Sequence, residues 1–143
     1  MINYIKALII MFQAHKGQKD KAGRAYIFHP LAVSFGVKTK DAKIVALLHD
    51  VLEDSNYTIE DLDFLTEEQK HSLVLLTHKK NESYFDYIEK IKSDDIAKQV
   101  KLSDLKHNSN LKRLKNPTEK DLDRVKKYKN CLLYTSPSPR DGL

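Results

Sequence analysis

Residues 47–58, LLHDVLEDSNYT, place charged side chains between apolar ones in a stretch that reads as the end of a buried helix. At about 100° per residue, His49 and Glu53 share one face of that helix. Asp50 and Asp54 share another face, one turn apart. Two carboxylates at this spacing repel each other, and burying them beside leucines costs free energy. A bound cation would remove this cost, so the stretch indicates a site as well as a core helix.

The rest of the chain has the same helical character. The segment that overlaps this stretch, 39–54, is the most strongly apolar, and TEEQ at 66–69 is a capping box that opens another helix. No segment shows strand alternation bounded by hairpin turns, and no repeat is evident. The sequence therefore predicts an all-α fold, a compact multi-helix bundle. The remaining helices are predicted over 2–16, from about 29, and over 82–92, 95–114 and 118–130.

Length and composition are those of one globular domain. The chain has 143 residues, of which 41% are hydrophobic and 31% charged, which fits one ordinary core. Its formal net charge of +5 favours an anionic partner, which could be a nucleotide, a nucleic acid or counterions in solvent. Basic residues are mixed with acidic ones and no reading motif is present, so nucleic acid is not expected. Oligomeric state is not determined by these features.

Cysteine usage and hydropathy indicate a cellular compartment. Cys131 is the one cysteine, so no intrachain disulfide can form and a reducing compartment is expected. The apolar run ALIIMFQA is much shorter than the roughly 20 residues that span a bilayer. We therefore expect a cytoplasmic protein with no membrane association.

The last 13 residues differ from the rest. We predict one domain over 1–130, whereas 131–143, CLLYTSPSPRDGL, lose helical periodicity and become rich in serine and proline. This tail is predicted to be disordered, or to be a sequence artefact that resembles translated adapter sequence. No second region follows the predicted helices, so a stand-alone domain is expected.

Two further residues complete a candidate metal site with His49 and Asp50. His29 starts a helix after an apolar stretch, and Asp104 lies in another amphipathic segment. Imidazole and carboxylate ligands together suit a first-row divalent metal, and a site with few protein ligands leaves positions for water and substrate.

These residues lie in three ordered motifs that resemble a known family. The motifs are AHKGQKDKAGRAYIFHP at 14–30, ALLHDVLEDSNYT at 46–58 and KLSDLKHN at 101–108. They resemble the HD-domain metal-dependent phosphohydrolases, and within them the (p)ppGpp hydrolases of the RelA/SpoT and small alarmone hydrolase type. The resemblance extends from Ala14 to Tyr128. It implies a hydrolase that removes the 3′-pyrophosphate from guanosine alarmones.

The resemblance also implies a role for each matching residue. Glu53 and Asp54 match the acidic pair that orients or deprotonates the attacking water. Four residues match the metal ligands, usually of Mn²⁺ in this family: His29, His49, Asp50 and Asp104. Five residues match substrate contacts in the loop, the helices and the cleft: Lys21, Lys80, Asn108, Arg124 and Tyr128.

The chain departs from the family pattern near the substrate. Asp20 stands where the family often has an arginine that stacks on the guanine, and Leu105 stands where it often has an arginine after the ligand aspartate. Neither departure involves a metal ligand or the acidic pair. They leave open a second hypothesis, the same chemistry on another nucleotide such as NADPH, at its 2′-phosphate, or ppApp. A third hypothesis is a non-catalytic nucleotide-binding HD module.

Each assignment also has a structural alternative. His49 and Asp50 could form an ordinary ion pair in a helical turn, and His29 could merely cap a helix. Lys80 could be a solvated lysine. Arg124 and Tyr128 could be an amphipathic stem and a half-buried ring without a ligand.

Overall fold

The computed structural model describes most of the chain up to the end of the KLSDLKHN motif. The residues it describes are 1–20, 22–108, Glu119, Asp123, Lys126, Lys127 and Asn130. Lys21, the predicted helix over 118–130 as a unit and the tail 131–143 lie outside the described residues.

The described residues form helices joined by short loops. They contain no strand, only an isolated bridge between Lys19 and Ala25. The all-α prediction is confirmed. The helices are α1 (Ile2–Ala14), α2 (Phe28–Phe35), α3 (Lys40–Leu48), α4 (Val51–Asp54), a 3₁₀ helix (Ile59–Leu62), α5 (Glu67–Leu76), α6 (Tyr84–Lys92) and α7 (Asp95–Asn108).

Side chains at the helix starts explain where several helices begin. The Thr66 hydroxyl accepts from the Gln69 amide, and the Gln69 side chain accepts from the Thr66 amide, so the predicted capping box is present. The Thr39 hydroxyl accepts from the backbone amide of Ala42 at the start of α3, and the Ser83 hydroxyl accepts from that of Asp86 at the start of α6.

Helix α3 lies at the centre of the core. It packs against α1, α2, α5 and α7. Val45, Ala46, Leu47 and Leu48 are fully buried, which means that the helix is apolar on every side near its end. Each buried leucine contributes roughly 1.5–3 kcal/mol of transfer free energy. The C-terminal end of α3 is thereby fixed, and it is the end that carries His49.

The prediction that His49 and Asp50 lie on the same continuous helix as Glu53 and Asp54 is wrong. Helix α3 ends at Leu48, and α4 begins at Val51. The two residues between them, His49 and Asp50, form a turn, and Asp50 has φ −107° and ψ −1°. The ring of His49 bonds to the carbonyl of Ala46, which competes with regular helix continuation. His49 and Asp50 therefore lie in a turn between two helices and not on two faces of one helix.

Helices α2 and α7 approach each other very closely at Gly36. A Cβ added there would lie 2.2 Å from the Ser103 hydroxyl oxygen. That hydroxyl donates to the carbonyl of Val33 at 2.8 Å. The absence of a side chain at Gly36 thus lets α7 lie against α2, which carries His29.

Two other predicted boundaries differ from the structure: α1 ends at Ala14 and not at 16, and α6 begins at Tyr84 and not at 82. The predicted continuation of α7 to 114 lies beyond the described range. Among the described residues, no helix is long and apolar enough to cross a membrane.

Candidate metal centre

Three of the four predicted ligands meet between α2, the turn after α3, and α7. His29, His49 and Asp104 are all buried, and one ligand atom from each lies within 4.8 Å of the other two. His29 Nε2 is 2.7 Å from Asp104 Oδ1, and His49 Nε2 is 3.5 Å from the same oxygen. The packing of α3 against α2 and α7 is what brings these side chains together.

One ring nitrogen of His49 has a hydrogen-bond partner and the other, Nε2, has none. Its Nδ1 lies 2.6 Å from the Ala46 carbonyl oxygen, so Nδ1 carries the proton. Its Nε2 is buried without a partner in hydrogen-bonding geometry, although carboxylate oxygens of Asp50 and Asp104 lie 3.1 and 3.5 Å away. A nitrogen lone pair facing two anions requires a cation there, either a proton or a metal ion. This donor set fits a divalent metal.

The ionisable groups of this cluster shift each other's pKa values. Burial alone would lower the pKa of His49, but the negative charge of Asp50 and the contact with Asp104 raise it well above its ordinary value. For Asp50, burial raises the pKa and the charge of His49 lowers it, with a net fall to about 2. The site is therefore anionic around its imidazoles, the environment that a cation favours.

Asp50 lies beside the three-residue group and is held by a tyrosine. The hydroxyl of Tyr26 donates to Asp50 Oδ2. Burial and the neighbouring carboxylates raise the pKa of Tyr26, which keeps it a hydrogen-bond donor. The Tyr26 ring also lies between His15 and His29, with ring centroids 4.9 and 5.6 Å away. Tyr26 thereby fixes the position of the fourth predicted ligand.

The second nitrogen of His29 faces another histidine. His29 Nδ1 and His107 Nδ1 lie 2.7 Å apart, and the two rings are stacked with centroids 5.0 Å apart. If Nε2 of His29 binds a metal, its Nδ1 carries the proton and His107 accepts it, which is the usual arrangement for a ligating histidine.

Both carboxylate oxygens of Asp104 have polar partners. Oδ1 faces the imidazoles and also accepts from the Asn108 side-chain amide at 3.1 Å. Oδ2 lies 3.0 Å from the ammonium of Lys101. Burial would raise the pKa of Asp104, but the charge of Lys101 and the contacts with His29 hold it well below its usual range.

Glu53 and Asp54 are exposed, and each carboxylate is held by a different segment. Glu53 Oε1 accepts from the backbone amide of His78 at 2.5 Å. Partial desolvation raises the pKa of Glu53, and this outweighs the His78 hydrogen bond, which lowers it. Asp54 Oδ2 accepts from the Gln18 side chain at 3.2 Å, and Gln18 Oε1 lies 2.9 Å from Nδ1 of the buried His15.

The predicted substrate contacts are only partly described. Asn108 lies one turn beyond Asp104, next to the cluster. Lys80 is exposed in the connection between α5 and α6. Lys21, Arg124 and Tyr128 lie outside the described residues, so their roles stay predictions.

The two departures from the family pattern have structural roles. Asp20 Oδ1 accepts from the backbone amides of Ala22 and Arg24, both at 2.9 Å, and so stabilises the loop that follows α1. Leu105 is 4% exposed and belongs to the core. Both residues therefore contribute to the stability of the fold.

Sequence reasoning missed the residues that support the ligands: Gln18, Tyr26, Lys101 and the partner role of His107. Lys101 carried a signal, because it lies three residues before Asp104 and therefore on the same face of the helix. Tyr26 and Gln18 carried none, since loop residues have no periodicity from which their direction can be inferred.

The fold and the cluster together define a class: a helical domain with a buried His/Asp site suited to a divalent cation. No protein-family model matches the chain. In fold, the chain is similar to a solved structure described as "A metazoan ortholog of SpoT hydrolyzes ppGpp and plays a role in starvation responses". The TM-score is 0.76 at 22% identity, over 95% of this chain and 88% of the other.

Curated relatives agree with the predicted resemblance to the RelA/SpoT type. A guanosine-3′,5′-bis(diphosphate) 3′-pyrophosphohydrolase of Borreliella burgdorferi is 43% identical over 74 residues, 48% of this chain and 11% of the relative. The bifunctional (p)ppGpp synthase/hydrolase SpoT of Escherichia coli is 36% identical over 64 residues, 42% of this chain and 9% of the relative. A GTP pyrophosphokinase of Streptomyces coelicolor is 48% identical over 52 residues, 34% of this chain and 6% of the relative.

These comparisons confirm the predicted resemblance to an HD-domain (p)ppGpp hydrolase. The chain spans about a tenth of the length of the curated relatives that it matches.

Proposed function

We propose that this chain is a metal-dependent phosphohydrolase that removes pyrophosphate from the 3′ position of a guanosine alarmone, converting ppGpp to GDP and pppGpp to GTP. The observation that carries the proposal is the convergence of His29, His49 and Asp104 on one point, with a buried His49 nitrogen that needs a cation. The names of the relatives support the substrate class.

The proposed ligands are His29, His49, Asp50 and Asp104, and the proposed ion is Mn²⁺. When bound, such an ion lowers the pKa of a coordinated water toward neutrality and offsets negative charge that develops on the attacked phosphorus. The donor set supports this assignment, because one atom each of His29, His49 and Asp104 converge and Asp50 Oδ2 lies 3.1 Å from His49 Nε2.

Glu53 and Asp54 are proposed to accept the proton of the attacking water and to orient it. A positioned general base typically contributes about 10²- to 10⁴-fold in rate. The His78 amide holds Glu53, and the Gln18 side chain holds Asp54. Each carboxylate thus has one fixed oxygen, which limits the directions in which it can accept a proton.

The substrate is proposed to lie against the cluster. Lys21, Lys80 and Arg124 would contact its phosphates, arginine being suited to bidentate contact. Asn108 would contact the sugar, and Tyr128 would line the cleft. Because Asn108 also donates to Asp104, the sugar contact and the metal ligand would be coupled through one side chain.

The proposed reaction is a hydrolysis without redox change. Water forms a new bond to the phosphorus attached to the 3′ oxygen, and the bond between that phosphorus and the 3′ oxygen breaks. The 3′ oxygen takes up a proton and becomes a hydroxyl, while pyrophosphate leaves.

A second substrate class is favoured by one observation. Asp20 uses its carboxylate to hold the loop amides of Ala22 and Arg24, so the position at which the family often places a base-stacking arginine has another function here. If ppApp or NADPH is the preferred substrate, the proposed base preference changes and the proposed chemistry stays the same.

The test is turnover of ppGpp, pppGpp, ppApp and NADPH side by side, with Mn²⁺ and with a chelator. We expect pyrophosphate release from the two guanosine alarmones that depends on Mn²⁺. Faster turnover of ppApp or NADPH would replace the guanosine assignment while keeping the chemistry. Binding without release of phosphate or pyrophosphate from any of the four would favour the non-catalytic nucleotide-binding module.

A further inference from the structure

Lys101 is a buried lysine on α7 that the proposed mechanism does not use. It is 8% exposed. Its ammonium lies 3.0 Å from Asp104 Oδ2 and also over the rings of Tyr84 and Tyr87, 5.6 and 5.1 Å from their centroids. A buried charge is costly unless it is paired. Lys101 is paired with a predicted metal ligand, so its effect on that ligand follows from the geometry.

The two oxygens of Asp104 have different partners. Oδ1 faces the ring nitrogens of His29 at 2.7 Å and His49 at 3.5 Å. Oδ2 faces the ammonium of Lys101. Only one oxygen of this carboxylate is therefore directed to the point at which the three ligands meet.

We propose that Lys101 restricts Asp104 to binding the metal through one oxygen, weakens metal affinity, and so keeps a ligand position open for the reaction. The inference rests on the proposed function. Lys101 is a positioning residue, because it acts through Asp104 and its burial keeps it from contacting a substrate in the cleft.

The Lys101 ammonium weakens metal binding by Asp104 through two physical effects. An ammonium that contacts a metal ligand repels a divalent cation held by that ligand. It also occupies the second oxygen, which would otherwise be available to the cation. A neutral side chain at this position would remove both effects, so metal binding should tighten while a ligand position is lost. A merely structural ion pair predicts the reverse, since a loosened site binds metal more weakly.

The test compares Lys101→Met, Lys101→Gln and Lys101→Arg in the full chain. Mn²⁺ affinity is measured by calorimetry, and turnover is measured with the nucleotide that the wild type hydrolyses best. We expect Lys101→Met to bind Mn²⁺ about tenfold more tightly or better and to lose about tenfold or more in kcat. Lys101→Gln should change both quantities in the same directions, and Lys101→Arg, which keeps the charge, should stay near the wild type.

The matched control is Lys92→Met. Lys92 forms an ion pair with Glu89 at 2.8 Å across the same three-residue spacing, on α6 and away from the cluster. This variant should leave Mn²⁺ affinity and kcat unchanged.

The outcomes separate this inference from the proposed function. If the wild type binds no Mn²⁺, the proposed metal centre itself is wrong. If the wild type binds Mn²⁺ and the folded Met and Gln variants bind it equally or more weakly, the role of Lys101 is wrong. If the Met variant unfolds without metal, the rise in its melting temperature with Mn²⁺ gives its affinity instead. Failure of both neutral variants to fold at any Mn²⁺ concentration would make Lys101 a structural residue and overturn the inference.

Discussion

His29 Nε2 and Asp104 Oδ1 lie 2.7 Å apart although 75 residues separate them in the chain. The contact exists because α2 and α7 pack against each other and against the buried helix α3. A ligand pair of this kind depends on the tertiary structure, so both the site and its supports can be tested by single substitutions.

Asp104→Asn should abolish Mn²⁺-dependent turnover and lower Mn²⁺ affinity by at least about tenfold. The substitution removes the carboxylate shared by His29, His49 and Lys101. It also leaves a buried ammonium without its counter-ion, which typically costs about 3–5 kcal/mol of stability. Calorimetry with Mn²⁺ and denaturant unfolding measure the two effects. The control is Asp63→Asn at an exposed position, and full activity of Asp104→Asn would refute the ligand assignment.

Tyr26→Phe should weaken Mn²⁺ binding about tenfold while the chain stays folded. The phenylalanine keeps the ring contacts with His15 and His29 but loses the hydroxyl that donates to Asp50. Tyr57→Phe removes a hydroxyl that donates to Gln13 and not to a predicted ligand, so it serves as the control. Equal Mn²⁺ affinity of the two variants would mean that the Tyr26 hydroxyl does not position Asp50.

Gln18→Leu should lower kcat about tenfold or more without changing Mn²⁺ affinity. The leucine cannot donate to Asp54, so that carboxylate loses the contact that orients it. Steady-state kinetics and Mn²⁺ calorimetry give the two readouts. A parallel loss of Mn²⁺ affinity would show that Gln18 supports the cluster as a whole and not Asp54 alone.

The pH dependence of kcat/KM should reveal Glu53 if it is the general base. A base acts when it is deprotonated, so activity should rise with pH through its pKa. Desolvation raises that pKa, and the acidic limb of the profile should therefore lie above the ordinary glutamate range of about 4.3. Glu53→Gln should remove this limb together with most of the turnover. A limb at the ordinary value that persists in Glu53→Gln would assign the base to another group.

Gly36→Ala should destabilise the fold by about 1–3 kcal/mol through overpacking. The added Cβ would meet the Ser103 hydroxyl at 2.2 Å and push α7 away from α2. The double variant with Ser103→Ala removes that oxygen and should recover part of the stability and of the Mn²⁺ affinity. Denaturant unfolding of the two single variants and the double variant completes the cycle, and strict additivity would rule out the proposed clash.

Much of the fold was predictable because its signals are local. The capping box at Thr66 and Gln69 is a pattern of neighbouring side chains, and it is present in the structure. The apolar run at Val45–Leu48 predicted a buried helix, and those residues are fully buried. The break at His49 and Asp50 was not predictable from periodicity, since a ring bonded to a carbonyl three residues earlier leaves no mark in the hydrophobic pattern.

The sequence by itself identified the candidate ligands, because imidazoles and carboxylates placed within apolar segments are costly without a cation and so stand out. Only the tertiary structure decided which atom of each candidate ligand faces the others and which groups hold that side chain. Tyr26, Gln18 and Lys101 reach Asp50, Asp54 and Asp104 through space, and the direction of a side chain in a loop or across a helix pair is set by packing and not by sequence spacing.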